Sequence, residues 1–295
     1  MSALVTLGAT AVSLDPETLL SKQDALFAHL RSLGRVMVAY SGGTDSAYLA
    51  WAANEALGHN AVAVLADSPS IPESHKQDAE AFARQFGLRF EIIQTNEFEN
   101  PDYSKNDGDR CFHCKDELFY QMEAFGRERE IQAIVYGVNK DDLGDYRPGQ
   151  KAAKIHQVEA PLVKANLTKA EIRELSRMAR LPTWDRPAAA CLSSRIAYGM
   201  KVTRENVKQV ETGEEALKAL GFTKFRVRHH GDLARIEIAR EELPRALDLQ
   251  MAGEFVRIFK PLGFHFVTLD LEGYRQGSMN ESLGITAPRS GSTTP

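Results

Sequence analysis

The sequence predicts an α/β fold: a parallel sheet covered by helices, followed by a smaller α+β domain. Three observations predict it. Short apolar runs alternate with longer stretches carrying apolar residues at helical spacing through the first two-thirds of the chain, the order that builds a parallel sheet. A glycine- and hydroxyl-rich segment, SGGTDS at 41–46, separates the first apolar run from the next helical stretch. Beyond residue 200 the pattern changes to one long helix and two alternating runs joined by a tight turn.

The elements follow in order. Residues 35–40 (RVMVAY), 61–66 (AVAVLA), 89–94 (RFEIIQ) and 133–136 (AIVY) read as buried strands, and 47–57, 74–86 and 116–129 as the helices between them. Another strand is expected over 157–161. Thr168 caps a helix to Met178, with Glu171 completing a capping box. Thr203 caps a helix reaching about Leu220. Strands at 224–228 and 234–238 are joined by a turn at 230–232, and a helix and a strand at 264–269 follow. The domains are expected at 1–200 and 201–284, with a small, polar, disordered tail at 285–295. No internal repeat is visible.

Composition limits the function classes. The chain has 295 residues, 43% hydrophobic and 26% charged, which allows a sizeable core and excludes global disorder. A net charge of −4 argues against a broad basic nucleic-acid surface while leaving room for a local basic pocket. Three cysteines cannot build a disulfide framework and suit a reducing, cytoplasmic setting. No apolar run has the length to cross a bilayer. The first fifteen residues lack the basic start of a secretory signal, so no export is expected.

In open parallel sheets ligands bind beyond the carboxyl ends of the strands. Three loops lie there: 41–46, 96–110 and 138–149. In the first, Gly42 and Gly43 let the backbone approach a ligand and take positive φ. The helix that follows offers unpaired N–H groups and a positive dipole end, and Ser41 and Ser46 add hydroxyls. This reads as a phosphate cradle, distinct from both GxxxxGK[ST] and GxGxxG. The plainer alternative is a tight strand–helix turn.

Cys111-Phe112-His113-Cys114 opens a helix, and the third cysteine is Cys191. Arg110 and Lys115 flank the pair, and Arg186 and Arg195 bracket Cys191, surroundings that favour thiolate. Four readings stand: a structural zinc joined by His113 or another histidine, a redox CxxC pair supporting Cys191, three unrelated core cysteines, or three ligands of a [4Fe–4S] cluster with one open iron.

SGGxDS resembles the pyrophosphate loop, or PP-loop, of the ATP α-hydrolase superfamily, whose Rossmann-like members activate a carbonyl oxygen with ATP and release pyrophosphate. That resemblance implies ATP bound by Ser41, Gly42, Gly43, Thr44, Asp45 and Ser46, with Mg²⁺ on Asp45, a hard carboxylate ligand. It also places adenosine near Asp67 and Gly137. The alternative for Asp45 is a carboxylate satisfying the helix dipole.

Five segments narrow the family: SGGTDS, GVNKDDLGDYRPG, PAAACLSSR, KFRVRHHGDLARIEI and LGFHFVTLDLEGYRQGSMN. With them the chain resembles the LarE-type ATP-dependent sulfur transferases from about Leu19 to Asn280. Those enzymes make the organic part of the nickel-pincer nucleotide cofactor of lactate racemase. They adenylate a pyridinium carboxylate mononucleotide and convert it to a thiocarboxylate. The resemblance implies sulfur carried at Cys191, and Cys111 and Cys114 match the [4Fe–4S] version rather than the one that sacrifices its cysteine. It assigns Arg195, Glu214, Arg226 and Arg228 to the substrate, the last two on one strand face suiting a phosphate monoester. It further implies a homo-oligomer, hexameric in the family. The alternative for Arg226, Arg228 and Glu214 is a solvated charged strand and helix face, and His229-His230 reads as turn chemistry rather than a metal pair.

Two other functions use such a loop. A tRNA thiolase would bring extra CxxC pairs or a basic stretch, and this chain has neither. An ammonia-using ligase of the NAD or GMP synthetase type leaves the three cysteines and ACLSSR unexplained, and an AMP-binding sensor would need a degenerate loop.

Overall fold

The structure is a computed structural model describing residues 4–5, 12–144, 148–187, 190–275 and 278–279. The expected tail at 285–295 lies outside the described residues, as do Ala188 and Ala189. The chain packs as two compact units. One comprises Met1–Ser68, Glu73–Thr95 and Phe112–Ala189; the other Pro69–Pro72, Asn96–Cys111 and Ala190–Pro295.

In the first unit, β1 (Leu4–Val5) and β2 (Val12–Ser13) form a short antiparallel pair that the sequence does not announce. Helix α1 (Pro16–Ser32) is capped by Asp15, whose carboxylate accepts from Thr18 N at 3.0 Å. Then come β3 (Val36–Ala39), α2 (Thr44–Leu57), β4 (Ala61–Asp67), α3 (Glu73–Gln85) and β5 (Phe90–Gln94). After α4 (Pro101–Ser104), in the second unit, α5 (Arg110–Arg127) leads to β6 (Ala133–Tyr136), α6 (Gly149–Ile155), α7 (Pro161–Lys164) and α8 (Lys169–Met178).

The sheet order is β5-β4-β3-β6, all parallel, with Val36 opposite both Ala61 and Ala133. Every residue of β3 is buried, as its unbroken apolar run requires of a central strand. On one face Met37, Ala39, Val62, Val64 and Ile93 pack with Phe119 and Met122 of α5 and Ala152 and Ala153 of α6. The chain lays β4 and β5 on one side of β3 and returns β6 to the other. The loops after β3 and β6 therefore flank the topological switch point, where such sheets form their binding crevice.

The four strands and three intervening helices fall where the apolar pattern puts them, although α5 begins at Arg110 rather than 116. The strand expected at 157–161 is absent. Glu159 makes a single parallel bridge to Val135, Gln157 takes φ +51°, and Pro161 opens α7. A left-handed residue and an imminent proline leave no room for a ladder.

The second unit contains α9 (Arg204–Ala219), β7 (Phe225–His230), β8 (Leu233–Ile238), α10 (Leu243–Ala246), α11 (Leu249–Phe259) and β9 (Phe266–Leu269). Strands β7 and β8 are antiparallel and β9 joins β8 in parallel, with Gly231 at φ +68° in the hairpin turn. His229 and His230 thus end a strand rather than make the turn. His229 lies 2.9 Å from Gln209 Oε1 and stacks edge-on against Phe264, a packed core histidine. Among the described residues no helix is long and apolar enough to cross a membrane.

Candidate active site

Residues 41–46 join β3 to α2 at the switch point. Only Gly42 has positive φ, +74°, and Gly43 is an extended N-cap without a side-chain cap bond. The loop closes on itself. Ser41 N–H donates to Ser46 Oγ at 3.2 Å, and Ser46 Oγ donates to the Gly43 carbonyl at 3.1 Å. It is also held from behind: Arg186 donates to the Gly42 carbonyl at 3.0 Å and to Asp78 at 2.7 Å, and Thr44 Oγ1 donates to the Thr183 carbonyl at 2.8 Å.

Gly137, just after β6, presses on the same loop. A Cβ there would lie 2.8 Å from Ser46 N and 2.9 Å from Ser46 Cα, so only glycine lets the strand end meet the start of α2. Asp67 ends the neighbouring strand β4. Its carboxylate accepts from Lys76 and, at 2.6 Å, from Gln94. The Lys76 bond is the main reason its carboxyl lies below the ordinary value.

Asp45 has a partner that sequence reading missed. Lys169 Nζ lies 2.6 Å from Asp45 Oδ2. Asp45 Oδ1 is buried with no hydrogen-bond partner. Burial is the larger influence and holds this carboxyl above its ordinary value despite Lys169. An orphaned carboxylate oxygen at a phosphate-type loop fits a hard divalent cation such as Mg²⁺.

In the second unit Cys191 is the N-cap of the 3-10 turn Leu192–Arg195. Its carbonyl accepts from Ser194 Oγ at 2.7 Å and from Arg195 at 2.9 Å, which pins the backbone carrying the sulfur. Arg195 is buried and paired with Glu214 through both carboxylate oxygens, at 3.0 and 3.1 Å. Glu214 also accepts from Val227 N at 3.2 Å, tying this turn and α9 to β7.

Arg110, buried to 4% exposure, donates to Asn106 Oδ1 and to the Ser193 carbonyl. Burial opposes its charge, but Cys191 and Cys111, with Tyr103 and Tyr198, together outweigh that and raise its pKa. The charge of Arg110 thus acts on both cysteines. Cys111 is exposed, Cys191 is half-buried, and Cys114 lies one helical turn further along α5.

Arg226 and Arg228 have different surroundings. Arg228 donates to Glu237 at 2.9 Å and to Ser278 at 3.0 Å, and Glu237 is fully buried. Arg226 has no ion pair among the described residues; it donates to its own strand at the Phe225 carbonyl and lies over the Tyr274 ring. Burial first, then the nearby charge of Arg195, lowers its pKa. Glu214, whose charge acts the other way on Arg226, is already bonded to Arg195, so a partly buried guanidinium with no ion pair of its own is prepared for an anion.

The cluster fits less completely than Mg²⁺. Three thiols are the right donor chemistry for iron–sulfur ligation. Among the described residues, however, no three His, Cys, Asp or Glu side chains stand close enough together to hold a metal ion.

A parallel sheet with a glycine-hydroxyl loop at its switch point defines an ATP-dependent enzyme of the PP-loop class, and residues 27–130 match the family model described as NAD synthase. An uncharacterized protein of Synechocystis sp. is 42% identical over 263 residues, covering 89% of this chain and 98% of that one. The pyridinium-3,5-bisthiocarboxylic acid mononucleotide synthase of Lactiplantibacillus plantarum is 33% identical over 268 residues, covering 90% of this chain and 96% of that one. An uncharacterized protein of Methanocaldococcus jannaschii is 28% identical over 242 residues, covering 82% and 91%. The chain belongs to the family of the pyridinium-3,5-bisthiocarboxylic acid mononucleotide synthase.

Proposed function

We propose that this protein is an ATP-dependent sulfur transferase that converts a pyridinium carboxylate mononucleotide to a thiocarboxylate, in biosynthesis of the nickel-pincer nucleotide cofactor. The observation that carries the reading is Cys191, on a pinned turn in the field of the buried Arg110 and bracketed by the buried Arg195. The printed name of the Lactiplantibacillus plantarum relative supports the substrate class.

A carboxylate resists a sulfur nucleophile because its leaving group would be oxide. In the first step a carboxylate oxygen attacks the α-phosphorus of ATP, pyrophosphate leaves, and an acyl-adenylate forms. Residues 41–46 hold the phosphates with backbone N–H groups and the Ser41 and Ser46 hydroxyls. Asp45 would hold Mg²⁺, which when bound offsets charge on the phosphates. Gly137 and Asp67 border the adenosine. Arg226 grips the substrate's 5′-phosphate, with Arg228 behind it on the same strand face, while Glu214 positions Arg195.

In the second step a sulfur nucleophile attacks the activated carbonyl and AMP leaves. If the sulfur is that of Cys191, a thioester forms. Loss of its Cα proton then expels the thiocarboxylate and leaves dehydroalanine at position 191. Cys111, Cys114 and Cys191 would supply the thiol donors of a [4Fe–4S] cluster, which when bound would offer replaceable sulfide as the nucleophile. The three-thiol donor set supports that cofactor, and iron and sulfide analysis of anaerobically prepared protein decides it. The reading carries a cytoplasmic site of action and a homo-oligomer.

The test is pyrophosphate release with candidate acceptors. Release must require the pyridinium carboxylate mononucleotide, and Cys191→Ser must abolish thiocarboxylate. Release driven by ammonia with a carboxylate, or by tRNA, would move the chain to the synthetase or tRNA-thiolase reading.

A further inference from the structure

We propose that Lys169 is a placeholder cation: it occupies the Asp45 carboxylate until a divalent ion arrives with the nucleotide, so that metal loading follows ATP binding. The inference rests on the reading of residues 41–46 as the site of ATP and Mg²⁺.

The geometry is specific. Lys169 Nζ is 2.6 Å from Asp45 Oδ2, 124 residues away in sequence. The ammonium comes from the first residue of α8, and that helix start is fixed on several sides. Thr168 and Glu171 form a complete capping box. Glu171 is held by Lys22 at 2.6 Å, and Lys169 N–H donates to Asp141 at 2.8 Å. The backbone under the ammonium is therefore rigid, while the four-carbon stem, about one-third exposed, is free to swing.

The surroundings of Asp45 make a simple surface ion pair an incomplete account. Its Oδ1 is buried with no hydrogen-bond partner. Besides Lys169, the charges that act on it are those of Asp142 and Arg173. Asp142 adds negative potential that draws a cation, whereas Lys169 and Arg173 oppose a second one. A bare divalent ion approaching Oδ1 would meet an ammonium already bound to the same carboxylate, and their repulsion in partly desolvated surroundings weakens its binding. A triphosphate changes the balance. It brings its own metal and gives the ammonium another anion, so Asp45 exchanges one cation for another without standing unpaired.

The test is Mn²⁺ binding to the full chain, read by electron paramagnetic resonance without nucleotide. Lys169→Met and Lys169→Gln should bind Mn²⁺ about tenfold or more tightly than wild type, the scale of one charged contact. Lys169→Arg should stay near wild type, and Asp45→Asn in the Lys169→Met background should remove the gain. The same neutral variants should bind ATP with Mg²⁺ about tenfold more weakly. The capping box is untouched by these substitutions, and melting curves report folding independently of metal. Unchanged Mn²⁺ affinity in both neutral variants, or a gain that survives Asp45→Asn, overturns the proposal. Wild-type protein that fails to bind ATP with Mg²⁺ at all would instead overturn the reading of residues 41–46.

Discussion

Arg110 Nη1 donates to the Ser193 carbonyl at 2.9 Å, joining the first residue of α5 to the turn behind Cys191 across 83 residues of sequence. Asn106, at φ +63°, extends the link: its side-chain amide donates to the carbonyls of Ala197 at 2.8 Å and Met200 at 2.9 Å. These bonds tie residues 96–111 to the second unit, where the charge of Arg110 acts on both Cys111 and Cys191.

Arg110→Met should separate the two chemical steps. It strips a charged donor from two buried acceptors, at about 1.5–3 kcal/mol for a charged hydrogen bond. Thiocarboxylate yield should fall much further than pyrophosphate release. Equal loss of both would mean that Arg110 serves the fold alone.

The two arginines of β7 should behave differently. Arg226→Gln should raise the KM for the mononucleotide substrate and leave the melting temperature nearly unchanged, because no carboxylate is left behind. Arg228→Gln removes one of the two arginines on the fully buried Glu237, leaving it Arg235 and the Ser278 hydroxyl, and should cost about 1.5–3 kcal/mol in denaturant unfolding. Matching stability losses in both variants would contradict this division.

Gly137→Ala drives a methyl into the backbone of Ser46. Overpacking of this kind costs about 1–3 kcal/mol, and here the yielding part is the loop after β3. The KM for ATP should rise together with the loss of stability. A variant with wild-type ATP kinetics would show that the loop tolerates displacement.

Acid should reveal the α8 cap. Burial alone would raise the Glu171 pKa, but bonds from Lys22 and Thr168 outweigh it and hold the carboxyl below its ordinary value of 4.5. A lowered folded pKa means that this stabilisation is complete above the unfolded value and lost as pH falls through the folded one. Glu171→Gln should therefore be less stable than wild type at neutral pH, with the gap closing below about pH 4.5. Parallel stability curves down to strong acid would refute the assignment.

The strands and caps were legible because their causes are local. Unbroken apolar runs mark β3 and β4, and Thr168 with Glu171 marks the start of α8. Residues 41–46 were legible because a phosphate-type loop needs consecutive residues. Lys169, Glu237 and the bond of Arg110 to the Cys191 turn were not, because each depends on a partner brought in by the fold, although the charge of Arg110 beside Cys111 was plain in the chain. The difference between Arg226 and Arg228 is equally invisible in the chain, where both read as alternate residues of one strand. The false strand at 157–161 failed on Gln157, whose left-handed backbone an apolar pattern does not announce.

The central claim is tested most directly by incubating anaerobically purified protein with ATP, Mg²⁺ and the pyridinium carboxylate mononucleotide, then weighing the product by mass spectrometry while counting pyrophosphate. The account predicts a product in which sulfur has replaced a carboxylate oxygen, with one pyrophosphate released per sulfur and none of that product from Cys191→Ser. Pyrophosphate released without any sulfur-bearing product, or sulfur transfer that persists in Cys191→Ser, would contradict it.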